Sequence, residues 1–307
     1  MTNCPQNIQD LFDFLFANHE YNKIVQEEDI RRTLASYDTV EERALRLLHE
    51  IVNTQSQPKL DHIARFFQRI EAKPQALMSY DCFSAFLGVK SGPDGGLFNA
   101  LKELKSNGWG DKTSALFVRN LAVIASSTDL RRMFWPDIQA VGDEPIRLPV
   151  DKVIKAIFRH LRVSDDDTSF RLKEDFGKIN CYLRDTLGCT REEMLVWDDL
   201  WFWGFITQKS KVGTDEREYQ WNDAKYWSIF TAPKATETIA KIELLATGKV
   251  TLRKTRVSDD RVLAVNFLSL TGAPVSPAKS TPHASATVQA QQTNSAPADC
   301  RSDQTCG

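Results

Sequence analysis

The sequence lacks an excess of charge of either sign. Its 39 Lys and Arg residues nearly balance its 41 Asp and Glu residues, and the formal net charge over 307 residues is −2. A chain with this balance has no general attraction to nucleic acid, so any nucleic-acid surface must be local. Apolar runs are too short and too interrupted to cross a bilayer, so we expect a protein without a membrane partner.

Cysteine is scarce and scattered, and its pattern argues against several kinds of site. The six cysteines stand at positions 4, 82, 181, 189, 300 and 306, with no secretory signal peptide before them. Scattered thiols without such a signal are typical of a reduced, intracellular protein, so we expect a cytoplasmic location. No four cysteines are grouped as an iron–sulfur cluster requires, and the histidines show no metal-ligand spacing. We therefore predict neither a metal site nor a cofactor.

Bulky apolar residues nearly disappear from the C-terminal stretch, which consists mostly of Ala, Ser, Thr, Pro and Gln. Such a segment buries too little apolar surface to fold, so residues 269–307 are predicted to form a disordered tail. Across residues 1–268 apolar residues recur at helical spacing, and this part is predicted to be mainly α-helical. The exception is a short β-hairpin, which is predicted from the alternation of apolar and polar residues in residues 249–256 and 261–268.

Two glycines mark the stretch around which the predicted helices are arranged. A helix is predicted to end near Asn107, the chain turns through Gly108-Trp109-Gly110, and a second helix begins near Asp111. This is a helix-hairpin-helix pattern over about residues 97–125. The glycines permit a tight turn, and the amides at the start of the second helix form an anion site. A phosphate group is the expected ligand of this turn.

A lysine and an aspartate follow the turn, each at the start of a predicted helix. Lys112 lies in the first turn of the second helix, where the positive end of the helix dipole disfavours an added positive charge. Asp151 follows Pro149 and Val150, in a loop at about residues 147–152, and takes the N-cap position of the next helix. Between residues 100 and 162 eleven basic residues outnumber seven acidic ones. This local surplus suits a nucleic-acid partner.

The turn, the lysine and the Pro-Val-Asp loop together resemble the helix-hairpin-helix DNA glycosylases with a Gly-Pro-Asp loop, in the branch that includes the 8-oxoguanine glycosylases. The resemblance is carried by residues 97–162. It implies a two-lobed helical fold in which Lys112 attacks the sugar and Asp151 assists. The protein is then expected to be a monomeric DNA glycosylase with lyase activity, and its partner is double-stranded DNA with an altered base. The residues that would hold a DNA phosphate are Gly108, Gly110 and Thr113.

The spacing departs from the common pattern of this family. Lys112 and Asp151 are 39 positions apart, because residues 126–147 insert extra chain. The archaeal 8-oxoguanine branch has a long gap of this kind, so an 8-oxoguanine-type lesion is the first predicted substrate. Two alternatives stay open. One is a glycosylase for another altered base, such as a bulky modified pyrimidine of phage or foreign DNA, in a defence role. The other is a helix-hairpin-helix DNA-binding protein without catalysis.

An aromatic helix later in the chain contains two consecutive acids. Asp198 and Asp199 lie within the tryptophan-rich run 194–206, where acids are costly unless they are paired or face a cavity. In the 8-oxoguanine branch a helix late in the chain supplies an aromatic side chain that stacks on the extruded base and a polar group that recognises the edge of the base. The resemblance gives this role to Asp199 and Trp203, which share a helix face, with Asp198 and Trp201 as the second candidate pair. Plain core packing of this helix is the competing interpretation.

Overall fold

A computed structural model describes residues 4–55, 58–90, 95–105, 108–161, 175–210, 217–230 and 253–274. Helices dominate this part of the chain, as the sequence predicts. The first helices are α1 (Gln6–Ala17), α2 (His19–Leu34), α3 (Val40–Asn53), α4 (Leu60–Glu71), α5 (Tyr80–Leu87), α6 (Leu97–Glu103) and α7 (Asp111–Ser126). They are followed by α8 (Thr128–Arg131), α9 (Lys152–His160), α10 (Asp175–Cys181), α11 (Arg191–Thr207), α12 (Asp223–Phe230) and α13 (Arg253–Thr271). None of these described helices is both long and apolar enough to pass through a bilayer.

The sheet in the described residues is one antiparallel pair of short strands, β1 (Gln208–Ser210) and β2 (Arg217–Tyr219). It does not coincide with the predicted hairpin. The prediction of two strands within residues 249–268 is wrong, because residues 253–271 form the single helix α13. The buried positions of α13 recur at spacings of three and four, which fit a helix and not a strand. They are Asp260, Ala264, Phe267, Leu268 and Thr271.

Short local signals start several helices, as the sequence predicts. The Thr39 hydroxyl accepts a hydrogen bond from the Glu42 amide at 3.2 Å, and the Glu42 carboxylate accepts one from the Thr39 amide at 3.0 Å. Thr190 and Glu193 form the same reciprocal pair at the start of α11. Such a pair satisfies donors that the first turn of a helix leaves without intrahelical partners. The starts of α3 and α11 are therefore encoded within four consecutive residues each.

The helix α11 packs against helices from the N-terminal and the C-terminal parts of the chain. It packs against α1, α9 and α13. Its buried residues are distributed around the whole helix and include Trp197 and Trp203, both with no exposed surface. A helix that is apolar on all sides is typical of a protein interior. The helix α11 therefore lies in the interior, between α1 and the described helices α9 and α13.

Gly204 allows α11 to lie close to α9. A Cβ atom added at this position would lie 2.6 Å from Val153 Cγ1 and 2.8 Å from Ile157 Cδ1. The variant Gly204→Ala is expected to lower the free energy of unfolding by about 1–3 kcal/mol, because the extra carbon forces the two helices apart. Urea unfolding followed by circular dichroism measures this difference.

The matched control is Gly177→Ala. Gly177 also lies within a helix, α10, and a Cβ atom there would have no neighbour within 4 Å among the described residues. This variant is expected to keep its stability or gain up to about 1 kcal/mol, because alanine favours a helix more than glycine does. If both variants lose the same free energy of unfolding, the close contact between α9 and α11 is not the cause of the loss in Gly204→Ala.

Internal contacts divide the chain into a compact unit, Met1–Ser276, and a second unit, Pro277–Gly307. The second unit lies outside the described residues, so the disorder of the tail stays a prediction. The predicted boundary at residue 268 comes too early, because α13 continues to Thr271 and Ala273 is buried.

Candidate functional site

The turn between α6 and α7 is held by the protein core. Gly108 has a φ of 89°, a left-handed conformation that favours glycine, and a Cβ atom there would lie 2.6 Å from Ile63 Cγ1. Its carbonyl accepts a hydrogen bond from Gln55 Nε2 at 2.9 Å. Trp109 is fully buried, and its ring centroid lies 5.2 Å from that of Phe66. Gly108 and Trp109 are therefore anchored in the interior.

The predicted phosphate contacts need correction, because their polar groups are used within the turn. The Gly110 amide donates to Thr113 Oγ1 at 2.8 Å, and Thr113 Oγ1 donates to the Gly110 carbonyl at 3.1 Å. The Gly108 amide donates to the Lys105 carbonyl at 3.3 Å. The Asp111 carboxylate also lies at this helix start, where it competes with an anion for the positive end of the helix dipole. Gly108, Gly110 and Thr113 thus close the turn and start α7.

Lys112 lies in the first turn of α7, where the sequence predicts it, and is partly exposed. Its Nζ donates to the carbonyl of Thr54, at the C-terminal end of α3, at 3.4 Å. The hydrogen bonds of Asp151, in contrast, are made with α9 and α11. The two predicted catalytic side chains therefore have different partners and do not bind each other in this structure.

Asp151 is the N-cap of α9, as the sequence predicts. Its Oδ1 accepts hydrogen bonds from the amides of Val153 at 2.8 Å and Ile154 at 3.0 Å, and its Oδ2 accepts one from Trp201 Nε1 at 3.2 Å. The loop before it is held by buried Asn180, whose side chain hydrogen-bonds to the loop backbone at 2.7 and 3.1 Å. The Asp151 carboxylate is thus fixed by three donors and still partly exposed.

An aromatic pair and a second lysine surround this carboxylate. Trp201 stacks on Phe205, with ring centroids 4.9 Å apart and an interplanar angle of 14°. Lys225 Nζ lies 4.7 Å from the Phe205 centroid and donates to the Gln208 carbonyl at 2.5 Å. Burial lowers the pKa of Lys225, and the negative charge of Asp151 opposes that effect. The site therefore combines a fixed carboxylate, an aromatic surface and a half-buried amine.

Lys225 is not among the site residues predicted from the sequence, and Trp201 belongs to the second candidate pair. The spacing of Trp201 and Phe205, four residues apart on a helix, is a signal that predicts their stacking. Lys225 carries no such signal, because it reaches the site only when α12 folds back over the end of α11.

The predicted base-pocket residues Asp199 and Trp203 lie in the core, so their assignment is corrected. Both side chains are fully buried. Asp199 Oδ2 is 2.8 Å from His19 Nδ1, and Asp199 Oδ1 accepts a longer hydrogen bond from Gln26 Nε2 at 3.4 Å. Trp203 packs edge-on against Phe14, with centroids 5.2 Å apart. Neither side chain offers a surface to an extruded base, and core packing is their structural role.

Asp198 is buried as well, in an ion pair with Arg119 at 2.6 Å. The two consecutive acids of α11 therefore have different partners on α7 and α2. This pairing offsets part of the free-energy cost of burying carboxylates in an aromatic helix.

The pair formed by partly exposed His19 and buried Asp199 predicts that stability depends on pH. Burial raises the pKa of Asp199 to about 7. Burial alone would lower the pKa of His19, but the hydrogen bond and the charge of Asp199 outweigh it, and the net shift is upward. The folded pair therefore binds protons more tightly than the unfolded chain, where the ordinary values are 3.8 and 6.5. The stability that the pair contributes declines as the pH rises above 3.8 and is lost above the raised values.

Between about pH 5 and pH 8 the free energy of unfolding of the wild type is expected to fall by about 2 kcal/mol more than that of Asp199→Asn. Asparagine cannot titrate, but it keeps a hydrogen-bonding group beside His19. Urea titrations of both proteins at several pH values measure the two slopes. Parallel pH profiles would contradict a role for this pair.

In the described part of the chain no three His, Cys, Asp or Glu side chains are placed together to hold a metal ion. Cys4, Cys82, Cys181 and Cys189 carry free thiols. Comparisons of the chain with protein-family models, with curated proteins and with solved structures gave no match.

Proposed function

We propose that this protein is a DNA glycosylase with lyase activity that removes an altered base from double-stranded DNA. The observation that carries the proposal is the Asp151 carboxylate, held by two amides at the start of α9 and by the indole of Trp201. A fixed and partly exposed carboxylate suits the stabilisation of positive charge on a sugar. The helical hairpin α6–α7, with Lys112 in the first turn of α7, supports the same proposal. The fold would be the two-lobed helix-hairpin-helix architecture, with the site in its cleft.

In the proposed reaction the target nucleotide first turns out of the duplex. The Lys112 amine attacks C1′, the bond from C1′ to the base breaks, and the base leaves with the bonding electrons and takes up a proton. After the attacking amine has lost one proton, the C1′–O4′ bond of the sugar ring breaks and O4′ takes up a proton, which gives a protonated Schiff base between Lys112 Nζ and C1′. Removal of a proton from C2′ then expels the 3′ phosphate by β-elimination, which cuts the strand. Asp151 accepts the proton of the attacking amine and stabilises the cationic sugar.

Trp201 and Phe205 provide the stacking surface in this proposal. Both are partly exposed, and the Trp201 indole is hydrogen-bonded to Asp151. Stacking on an aromatic ring stabilises a base by about 1–3 kcal/mol, which offsets much of the cost of flipping it. The aromatic surface therefore lies beside the carboxylate, where an extruded base needs support.

The first proposed substrate is an 8-oxoguanine-type lesion, on the strength of the family resemblance. Another altered base, including a modified pyrimidine of foreign DNA, is the second. A DNA-binding protein without catalysis is the third candidate, and the presence of both Lys112 and Asp151 argues against it, because holding a phosphate requires neither an amine nucleophile nor a carboxylate beside it.

Borohydride trapping on a panel of duplexes, each with one altered base, tests the proposal. An abasic duplex and an undamaged duplex are the controls. We expect a covalent protein–DNA adduct with one altered base and with the abasic site, and none with undamaged DNA. An adduct with the abasic site alone would support the lyase step and reject the bases on the panel. Measurable DNA binding without any adduct would reject the Schiff-base mechanism.

A further inference from the structure

A cavity of about 600 Å³ is formed by α9, by β2 and by the segment after α13. Its size lies within the range of small-molecule sites and accommodates a nucleotide. Most of the side chains that line it are cationic or aromatic. They include Lys152, Lys155, Arg159, His160, Arg217 and Tyr219.

Three of the cations come from one face of α9. Lys152, Lys155 and Arg159 are spaced by three and four residues, so they lie on the same side of the helix. The other side of α9 is apolar and buried, as shown by Ile154 and Ile157. This amphipathic pattern directs the positive charges of α9 into the cavity.

The strand β2 supplies a fourth cation and an aromatic ring. Arg217 and Tyr219 lie on one face of the strand, because side chains alternate, and Glu218 lies on the other. The Tyr219 hydroxyl is 2.9 Å from His160 Nε2, and the two rings are perpendicular, with centroids 4.9 Å apart. Burial lowers the pKa of His160, and the charge of Arg159 lowers it further. At neutral pH this pair is therefore an uncharged aromatic wall of the cavity.

The charge that lines the cavity is of one sign. Buried Asp175 offsets part of it, since its Oδ2 lies 3.4 Å from Lys155 Nζ and 3.8 Å from Arg159 Nη2. The cavity lining itself contains four cations and no acid among the described residues. A concave site lined by charges of one sign focuses the electric potential and attracts ligands of the opposite sign.

We infer that this cavity binds a phosphorylated nucleoside, with its phosphoryl oxygens on Lys155 and Arg217 and its base against the pair of His160 and Tyr219. Lysine and arginine bind phosphate through charge-assisted hydrogen bonds, and an aromatic wall accepts any base by stacking. The nucleotide is either free or part of a nucleic-acid strand. The inference goes beyond the proposed base excision, because neither Lys112 nor Asp151 lines the cavity.

Fluorescence anisotropy with a short labelled single strand, and calorimetry with ATP and with inorganic phosphate, test this inference. The variant Arg217→Gln removes one charge from the cavity without removing a partner of Asp175. Arg65→Gln, at an exposed position of α4, removes the same charge outside the cavity and is the matched control. We expect Arg217→Gln to weaken binding of ATP or of the strand by about tenfold, and Arg65→Gln to change it by less than about twofold.

The probes distinguish the two sources of the nucleotide. Two results together would identify a nucleic-acid strand as the ligand. ATP does not displace the labelled strand, and the salt dependence of strand binding falls by about one phosphate contact in Arg217→Gln. ATP binding that exceeds strand binding identifies a free nucleotide. An equal loss of affinity in Arg217→Gln and Arg65→Gln, or no binding of any probe to the wild type, would overturn the inference.

Lysine acetylation of the wild type gives a second readout that needs no variant. A bound probe is expected to slow the acetylation of Lys155 but not that of exposed Lys59. Equal rates for Lys155 with and without the probe would contradict binding in the cavity. Neither the binding measurements nor the acetylation rates depend on the borohydride experiment. The nucleotide-binding inference and the proposed base excision can therefore be rejected independently of each other.

Discussion

Lys112→Gln is expected to abolish the covalent protein–DNA adduct, because glutamine has no amine that can add to C1′. Folding should be little affected. The side chain is partly exposed, and its hydrogen bond to the Thr54 carbonyl, at 3.4 Å, lies at an exposed position. The free energy of unfolding should therefore change by less than about 0.5 kcal/mol. Borohydride trapping on the substrate duplex measures the loss of the adduct, and anisotropy checks that duplex binding is retained.

Two other lysines make this experiment specific. Lys105→Gln removes an exposed lysine near the same turn and should form the adduct like the wild type. Lys225→Gln removes the half-buried lysine whose charge is influenced by Asp151. An adduct that persists in Lys112→Gln and disappears in Lys225→Gln would move the nucleophile to Lys225 and reject the proposed role of Lys112.

Asp151→Asn is expected to slow base release by about 10²–10⁴-fold. An asparagine carries no negative charge, so it neither accepts the amine proton nor stabilises a cationic sugar. Asparagine is as good an N-cap as aspartate, so α9 should still start at the same residue. Single-turnover excision on the substrate duplex measures the rate, and circular dichroism checks that the helices are intact.

Trp201→Phe is the companion variant to Asp151→Asn. It keeps an aromatic ring beside Phe205 and removes the indole donor that binds Asp151 Oδ2 at 3.2 Å. The rate should fall by about tenfold, the effect of one hydrogen bond to a charged group. A wild-type rate in Asp151→Asn would reject the catalytic role of this carboxylate, whatever Trp201→Phe does.

Local features of the site were predictable because they depend on a few consecutive residues. The N-cap at Asp151 requires only its own side chain and the amides that follow it within three positions. The start of α11 at Thr190 and Glu193 is of the same kind. The closing of the turn by Thr113 is equally local, but the same short pattern also suits an open phosphate site, so the sequence did not distinguish the two.

The aromatic helix α11 shows where local information ends. Its apolar residues occur on every side, so their spacing does not indicate which face is buried against protein and which is open. The neighbours decide this: α1 and α13 cover Trp203, whereas Trp201 remains partly exposed beside Asp151. The family resemblance predicts Trp203 as the aromatic residue that is open to a ligand, whereas packing buries Trp203 and leaves Trp201 partly exposed.

The sequence by itself determined the mainly helical class, the starts of the capped helices and the positions of Lys112 and Asp151 at two of those starts, because backbone capping and helical periodicity act over a few residues. The tertiary structure alone decided which side chains share a site. His19 and Asp199 are 180 positions apart, and the cavity joins residues of α9 to a strand that lies beyond α11. Contacts over such separations depend on how whole helices pack, and packing is a property of surfaces that no short stretch of sequence contains.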